Sequence, residues 1–63
     1  MKKTIEKIKT ARLEKGYSQD YMGLQLGISQ RAYCKLECGK TKLTLDRLRI
    51  IAKLVELNPE ELL

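Results

Sequence analysis

The 63-residue sequence contains no histidine, and its two cysteines are Cys34 and Cys38. A structural zinc site takes four Cys or His ligands, so one copy of the chain does not supply a complete set. The eight acidic residues are dispersed, and only Glu60 and Glu61 are adjacent, at the expected start of a helix. No glycine-rich loop of the phosphate-cradling kind is present either. These absences argue against an enzyme and against a bound metal or cofactor.

Long apolar runs are also missing. The longest apolar interval, LRIIAKLVEL, is interrupted by Arg49 and Lys53, whereas a transmembrane helix needs ~20 predominantly apolar residues. The opening MKKTIEKIKTARLEK has no apolar segment of the length that a signal peptide requires. We therefore expect an intracellular protein with no membrane partner, in which both cysteines are free thiols.

Basic residues are in excess. Thirteen Lys and Arg against eight Asp and Glu give a formal net charge of +5. In one small domain this bias favours a polyanionic partner, either nucleic acid or an acidic membrane surface. A domain that is basic without such a partner remains an alternative. A further alternative is that the first helix binds a membrane surface, although the apolar stripe of Ile5 and Ile8 that such binding requires is narrow and is needed by the core.

Apolar spacing and capping residues predict one domain, residues 1–63, made of helices without strands. A first helix over residues 3–15 places Ile5, Ile8 and Arg12 on one face. Further helices follow at 19–26, at 30 to about 38, from 45 and from 59, with Ser18, Ser29, Thr44 and Asn58 as N-caps. The fourth helix carries a broad apolar stripe of Leu45, Leu48, Ile51, Ala52 and Val55.

The second and third predicted helices are joined by a short turn through Gly27. Two short helices joined at a glycine, the second with an exposed polar face, describe a helix-turn-helix unit, here at about residues 18–38. A helical wheel of the third helix gives an inner arc of Ser29, Ala32, Tyr33, Leu36 and Glu37, and an outer arc of Gln30, Arg31, Cys34, Lys35 and Cys38.

The outer arc has the chemistry of a DNA-reading surface. Glutamine bonds adenine N6 and N7, and arginine bonds guanine O6 and N7, in the major groove. Gln30 and Arg31 also lie at the N-terminal end of the helix, which contacts base edges in this docking mode. A solvated surface helix has the same composition, so the adjoining turn and the net charge decide in favour of DNA.

From Ile8 to Leu63 the sequence resembles the phage-repressor (Cro/XRE-type) helix-turn-helix DNA-binding family. The resemblance rests on the order and intervals of Arg12, GYSQ (16–19), LGIS (26–29), LECGK (36–40), Leu48, IA (51–52) and NPEELL (58–63). It implies an all-α, compact five-helix bundle of the lambda-repressor-like type. It also implies a bacterial or phage-encoded cytoplasmic repressor that binds double-stranded DNA as a homodimer on a two-fold symmetric operator.

The resemblance further implies roles for individual residues. Base contacts are expected from Gln30, Arg31, Lys35 and Cys34, and phosphate contacts from Ser18, Gln19, Lys40, Thr41, Lys42 and nearby backbone N–H groups. Gln19 would also brace Gln30. Base contacts set sequence preference, whereas phosphate contacts set register and affinity. Arg12 and Glu37 are charges on inner helix faces, which is costly unless they pair, and the resemblance implies such an ion pair; two charges that never meet are the alternative.

The sequence departs from the family pattern at four positions. Gly23 replaces alanine, Cys38 replaces a common phosphate-contacting residue, and Leu43 replaces a loop proline. Glu56 replaces a glycine after the fourth helix and predicts that this helix runs longer than usual.

Several interpretations stay open. Three interpretations of the cysteines are possible. In the first, Cys34 is a small contact residue and Cys38 only ends the helix. In the other two, the pair is a redox switch or supplies zinc ligands shared between two copies of the chain. A DNA-binding antitoxin and a protein-interaction module built on LDRLRIIAKLVELNPEELL are the alternatives to a repressor.

Overall fold

A computed structural model describes residues 2–63; Met1, the first residue of the predicted domain, lies outside that range. The described chain forms five helices and no strand: α1 (Lys2–Lys15), α2 (Gln19–Leu26), α3 (Gln30–Glu37), α4 (Leu45–Leu54) and α5 (Pro59–Leu62). The predicted all-α, five-helix architecture is therefore confirmed. Within residues 2–63, each helix is too short or too polar to cross a bilayer.

The starts of α2, α3, α4 and α5 are each fixed by a local polar contact. The side-chain oxygens of Ser18, Ser29 and Thr44 accept hydrogen bonds from the backbone N–H groups of Tyr21 (3.0 Å), Ala32 (3.1 Å) and Arg47 (3.3 Å). At α5 the direction is reversed, because the Asn58 N–H donates to Glu61 Oε2 at 2.7 Å. These are the four predicted N-caps, and a side-chain cap of this kind satisfies backbone donors that the first helical turn leaves free.

The first four helices end in the same way, with a left-handed residue and a hydrogen bond that spans five residues. The left-handed residues are Gly16, Gly27, Gly39 and Glu56, with φ of 74°, 72°, 77° and 58°. At Glu56 the bond is from the Leu57 N–H to the Ala52 carbonyl, at 2.9 Å. Leu57 then packs against the core, as the apolar residue after such a helix end commonly does. The predicted longer α4 is wrong: Glu56 takes the glycine conformation and α4 ends at Leu54.

Most of the residues predicted on the apolar helix faces are buried in the core. Its buried members are Ile8, Ala11, Met22, Tyr33, Leu36, Leu43, Leu48, Ile51, Ala52, Val55 and Leu62. Leu45 was expected on the α4 stripe but is 55% exposed, since it lies at the solvent edge of the first turn. Leu43, from the preceding loop, is buried instead. In the segment after Thr44, the core uses the side chains of Leu48, Ile51, Ala52, Val55 and Leu62, whereas Leu45, Ile50 and Leu63 remain exposed.

Arg12 and Glu37 meet in a buried, two-pronged contact between α1 and the end of α3. Arg12 Nε donates to Glu37 Oε2 at 2.9 Å, and Nη2 donates to Oε1 at 2.8 Å. Arg12 Nη1 also donates to the Tyr17 carbonyl at 2.8 Å, which ties the turn after α1 into the same contact. Burial raises the pKa of the Glu37 carboxyl, but the hydrogen bonds from Arg12 outweigh burial, so this pKa lies below its usual range.

Glu37→Gln should lower the free energy of unfolding by about 3–5 kcal/mol, because Arg12 would keep its buried charge without an ionised partner. Since the folded pKa of Glu37 is depressed, the wild-type advantage is present above the unfolded glutamate pKa of ~4.3 and is lost as pH falls through the folded value. Urea titrations followed by circular dichroism at several pH values measure both effects. Glu14→Gln, at an exposed position on α1, is the matched control. A deficit that stays constant down to acidic pH would contradict the prediction.

Glu56→Gly should raise the free energy of unfolding by roughly 0.5–1 kcal/mol. A left-handed conformation costs a residue with a Cβ about 1–2 kcal/mol, part of which glycine gives back through its freer unfolded chain. The Glu56 contact with Lys15 is also lost, but it joins exposed side chains and contributes little. Thermal melts compare it with Glu56→Gln, which keeps the Cβ and removes the charge. Loss of stability in both variants would show that the ion pair outweighs the backbone strain.

Candidate nucleic-acid interface

The turn between α2 and α3 depends on a close backbone approach at Gly23. A Cβ at this position would lie 3.0 Å from both the Ile28 and the Ser29 carbonyl oxygens. Gly23 is buried, and its own carbonyl accepts from the Ile28 N–H at 2.9 Å. α2 therefore lies directly against the turn backbone, and this contact helps to set the angle at which α3 leaves the turn.

α3 is anchored on one side, which leaves the other side exposed. Tyr33, Leu36 and Glu37 are buried in the fold. On the opposite arc, Gln30, Arg31 and Lys35 are exposed, as is Cys38, while Cys34 is half-buried. The division agrees with the helical wheel at these positions, whereas two residues of the predicted inner arc are less buried: Ser29 is exposed and Ala32 is half-buried. The eight residues of α3 extend over ~12 Å, and the major groove is ~12 Å wide.

Tyr33 anchors α3 close to the ion pair. It is the largest of the fully buried side chains, and its hydroxyl oxygen is buried without a hydrogen bond of good geometry to any residue in 2–63. Burial raises the pKa of this phenol, and the nearby Glu37 carboxylate raises it further, so Tyr33 stays neutral. The inner face of α3 thus combines an apolar anchor with a charged one.

The N-terminal end of α2 flanks this face. Ser18 is exposed, and its hydroxyl caps the helix. Gln19 is half-buried, and the proximity of its side chain to Glu37 contributes slightly to lowering the pKa of that carboxyl. The hydrogen bonds within residues 2–63 do not include the expected one between Gln19 and Gln30. The Tyr17 and Tyr21 ring centroids are 4.6 Å apart, with the two rings tilted by 40°; only their spacing of four residues signals this pair in the sequence.

The loop after α3 carries the remaining predicted contacts. Lys40, Thr41 and Lys42 are exposed. The Lys40 and Thr41 N–H groups donate to the Lys35 carbonyl, at 2.9 and 3.4 Å. Those two N–H groups are therefore engaged in closing α3 and are not free for phosphates, unlike the side chains. Leu43, buried just beyond, holds the loop against the core.

The exposed charges of α3 and of the loop after it have one sign. Between residues 30 and 42 the exposed charges are Arg31, Lys35, Lys40 and Lys42. The acidic residue in the same segment, Glu37, is buried and paired with Arg12. A convex helix with an exclusively basic exposed charge is suited to a polyanion. No group of three or more potential metal ligands occurs within residues 2–63.

Comparison with protein families matches residues 8–62 to the helix-turn-helix family. The match includes α2, α3, the loop after α3 and both members of the buried ion pair. Neither a curated protein nor a solved structure matches the chain.

Gly23→Ala should lower the stability of the fold, although alanine is favoured over glycine by ~1 kcal/mol in a helix interior. The new methyl group would lie 3.0 Å from two carbonyl oxygens of the turn, and we expect the cost of moving this backbone to exceed the gain in helix propensity. Urea unfolding measures the difference, with Gln25→Ala, an exposed position on the same helix, as the control. A gain of the full propensity difference would show that the turn accommodates the methyl group and that Gly23 is not needed for its geometry.

Proposed function

The chain belongs to the Cro/XRE-type helix-turn-helix family of DNA-binding transcription regulators, and we propose that it is a sequence-specific repressor that binds double-stranded DNA as a dimer. The observation that carries the proposal is the exposed outer arc of α3, which offers Gln30, Arg31 and Lys35 while the inner arc is held in the core. In this proposal residues 1–63 act as one domain, with the helix-turn-helix unit at about 18–38.

Base reading is assigned to the outer arc of α3. Gln30 and Arg31 lie in the first turn of the helix and are exposed, so their long side chains reach furthest toward base edges. Lys35 and Cys34 lie one turn further along the same arc. Glutamine and arginine each offer paired hydrogen-bonding groups, which discriminate bases by about 1–3 kcal/mol per good bidentate contact.

Phosphate contacts are assigned to the two segments that flank α3. On one side are the Ser18 hydroxyl and the Gln19 side chain at the start of α2; on the other are Lys40, Thr41 and Lys42. Ser18 accepts the Tyr21 N–H and keeps its own O–H as a donor. Gln19 needs to turn from Glu37 toward the DNA to make its contact. These groups fix the register of α3 in the groove without reading sequence.

The size of the molecule supports a dimer on DNA. Its longest Cα extent is 26 Å, which is less than the ~34 Å helical repeat that separates half-sites in this docking mode. One copy therefore covers one half-site, and a second copy has room on the same face of the duplex. Two copies related by a two-fold axis would read a symmetric operator and double the number of base contacts.

Selection from random duplex DNA, followed by binding assays at ~150 mM salt, tests the function. We expect an enriched symmetric motif with half-sites about one helical turn apart, and sedimentation of two copies on it. Equal affinity for the selected and the random duplex would contradict sequence-specific regulation. An asymmetric motif bound by one copy would contradict the dimer.

Mutations separate the two assigned roles. Gln30→Ala or Arg31→Ala should each lose about 1–3 kcal/mol on the selected site and relax the preference at one base position, whereas Lys40→Ala or Lys42→Ala should weaken all sequences and reduce the salt slope by about one. Lys53→Ala is the matched control, because this exposed lysine lies outside α3 and its flanking segments, ~14 Å along α4 from the N-cap Thr44. Uniform losses on every sequence for Gln30→Ala and Arg31→Ala would contradict their assignment to base reading.

A further inference from the structure

The two cysteines of the chain lie side by side on the outer arc of α3. Their Sγ atoms are 3.8 Å apart. Both are free thiols; Cys34 is half-buried and Cys38 is exposed at the end of the helix. The fold therefore presents a solvent-accessible dithiol on the same surface as Arg31 and Lys35.

We propose that Cys34 and Cys38 form a two-thiolate site for a soft divalent metal ion of the zinc type, and that its occupation excludes DNA from α3. In tetrahedral zinc sites the Zn–S bond is ~2.3 Å, which places two coordinating sulfurs ~3.8 Å apart. The thiols already stand at this separation, so an ion binds with little movement of either side chain.

The same geometry disfavours the redox alternative. A disulfide needs an S–S bond of ~2.05 Å and Cβ atoms ~3.8 Å apart, whereas residues one helical turn apart hold their Cβ atoms at ~5–6 Å. Oxidation would therefore distort the last turn of α3.

The binding step is balanced in charge. Two S–H bonds break, two sulfur–metal bonds form, and two protons leave to solvent, so the neutral dithiol becomes a neutral dithiolate–metal unit with no change of oxidation state. The neighbouring Lys35 and Lys40 cations therefore gain no extra positive charge beside them. Since residues 2–63 contain no cluster of three potential ligands, one copy supplies two ligands and water completes the coordination.

The effect on DNA rests on the proposed function of α3. A hydrated ion held by Cys34 and Cys38 would stand on the outer arc, beside Lys35, where the base edges would otherwise lie. Metal and DNA would then exclude each other sterically. By linkage, DNA must weaken metal binding by the same factor as metal weakens DNA binding.

Metal binding is measured first on the free, reduced protein, in the absence of DNA. Cd²⁺ titration, read by sulfur-to-metal charge-transfer absorption, and Zn²⁺ competition with a chromogenic chelator should both give one ion per chain. Cys34→Ser and Cys38→Ser should each weaken binding by ~10-fold or more, since one protein ligand of two is lost. Glu60→Gln, beside Glu61, should leave binding unchanged and so controls for adventitious carboxylate binding.

Three outcomes would overturn the site: no charge-transfer absorption on Cd²⁺ addition, single-cysteine variants that bind as the parent does, or dependence on Glu60. Treatment with peroxide adds a further check by mass spectrometry. Rapid loss of two hydrogens with unchanged helix content would show that the thiols reach disulfide geometry, and would overturn the preference for a metal.

A second experiment measures the affinity of the parent protein and of the double variant for the selected duplex, each with and without Zn²⁺. The parent affinity should fall in Zn²⁺, and the double variant C34S/C38S should show no metal response, whatever its own affinity. Metal binding without an effect on DNA affinity would overturn the exclusion. Failure of the proposed function is distinguishable, because a protein that binds no DNA still reports on the thiols in the first measurement.

Discussion

The buried contact between Arg12 and Glu37 is the constraint on which the rest of the molecule depends. It connects the last turn of α1, the Tyr17 carbonyl of the following turn and the last turn of α3. A domain of this size has few apolar contacts to spare, so a charged pair that joins residues 25 positions apart fixes much of its long-range geometry. Because Glu37 ends α3, the pair also determines which side of that helix faces the core, and hence which side faces outward.

Features set by local contacts were predictable from the sequence. The N-caps at Ser18, Ser29 and Thr44 each depend on a residue three positions ahead, and the glycine stop at Gly27 depends on its own backbone conformation. The outer arc of α3 follows from helical periodicity once the helix is placed. These signals do not require knowledge of what the helix packs against.

Some features set by packing were not predictable. Leu45 fits the periodic stripe of α4, yet Leu43 is the residue that enters the core. Which of the two is buried depends on the path of the loop. Glu56 stands where the family pattern has a glycine and so predicts a longer α4, but the Leu57 contact with the core makes the left-handed end more favourable. Gln19 likewise turns toward Glu37, a partner 18 positions away that no local pattern specifies.

One peptide unit links the two halves of the proposed DNA contact. Lys35 presents its side chain on the outer arc, while its carbonyl oxygen holds the Lys40 and Thr41 N–H groups. The distance between the helix that would read bases and the loop that would grip phosphates is therefore preset by a backbone clamp. Because these hydrogen bonds order the loop before DNA binds, the loop loses less conformational entropy on contact with a duplex. A duplex whose groove is too wide or too narrow would then be rejected through its shape, because the loop cannot follow the phosphates without breaking the end of α3.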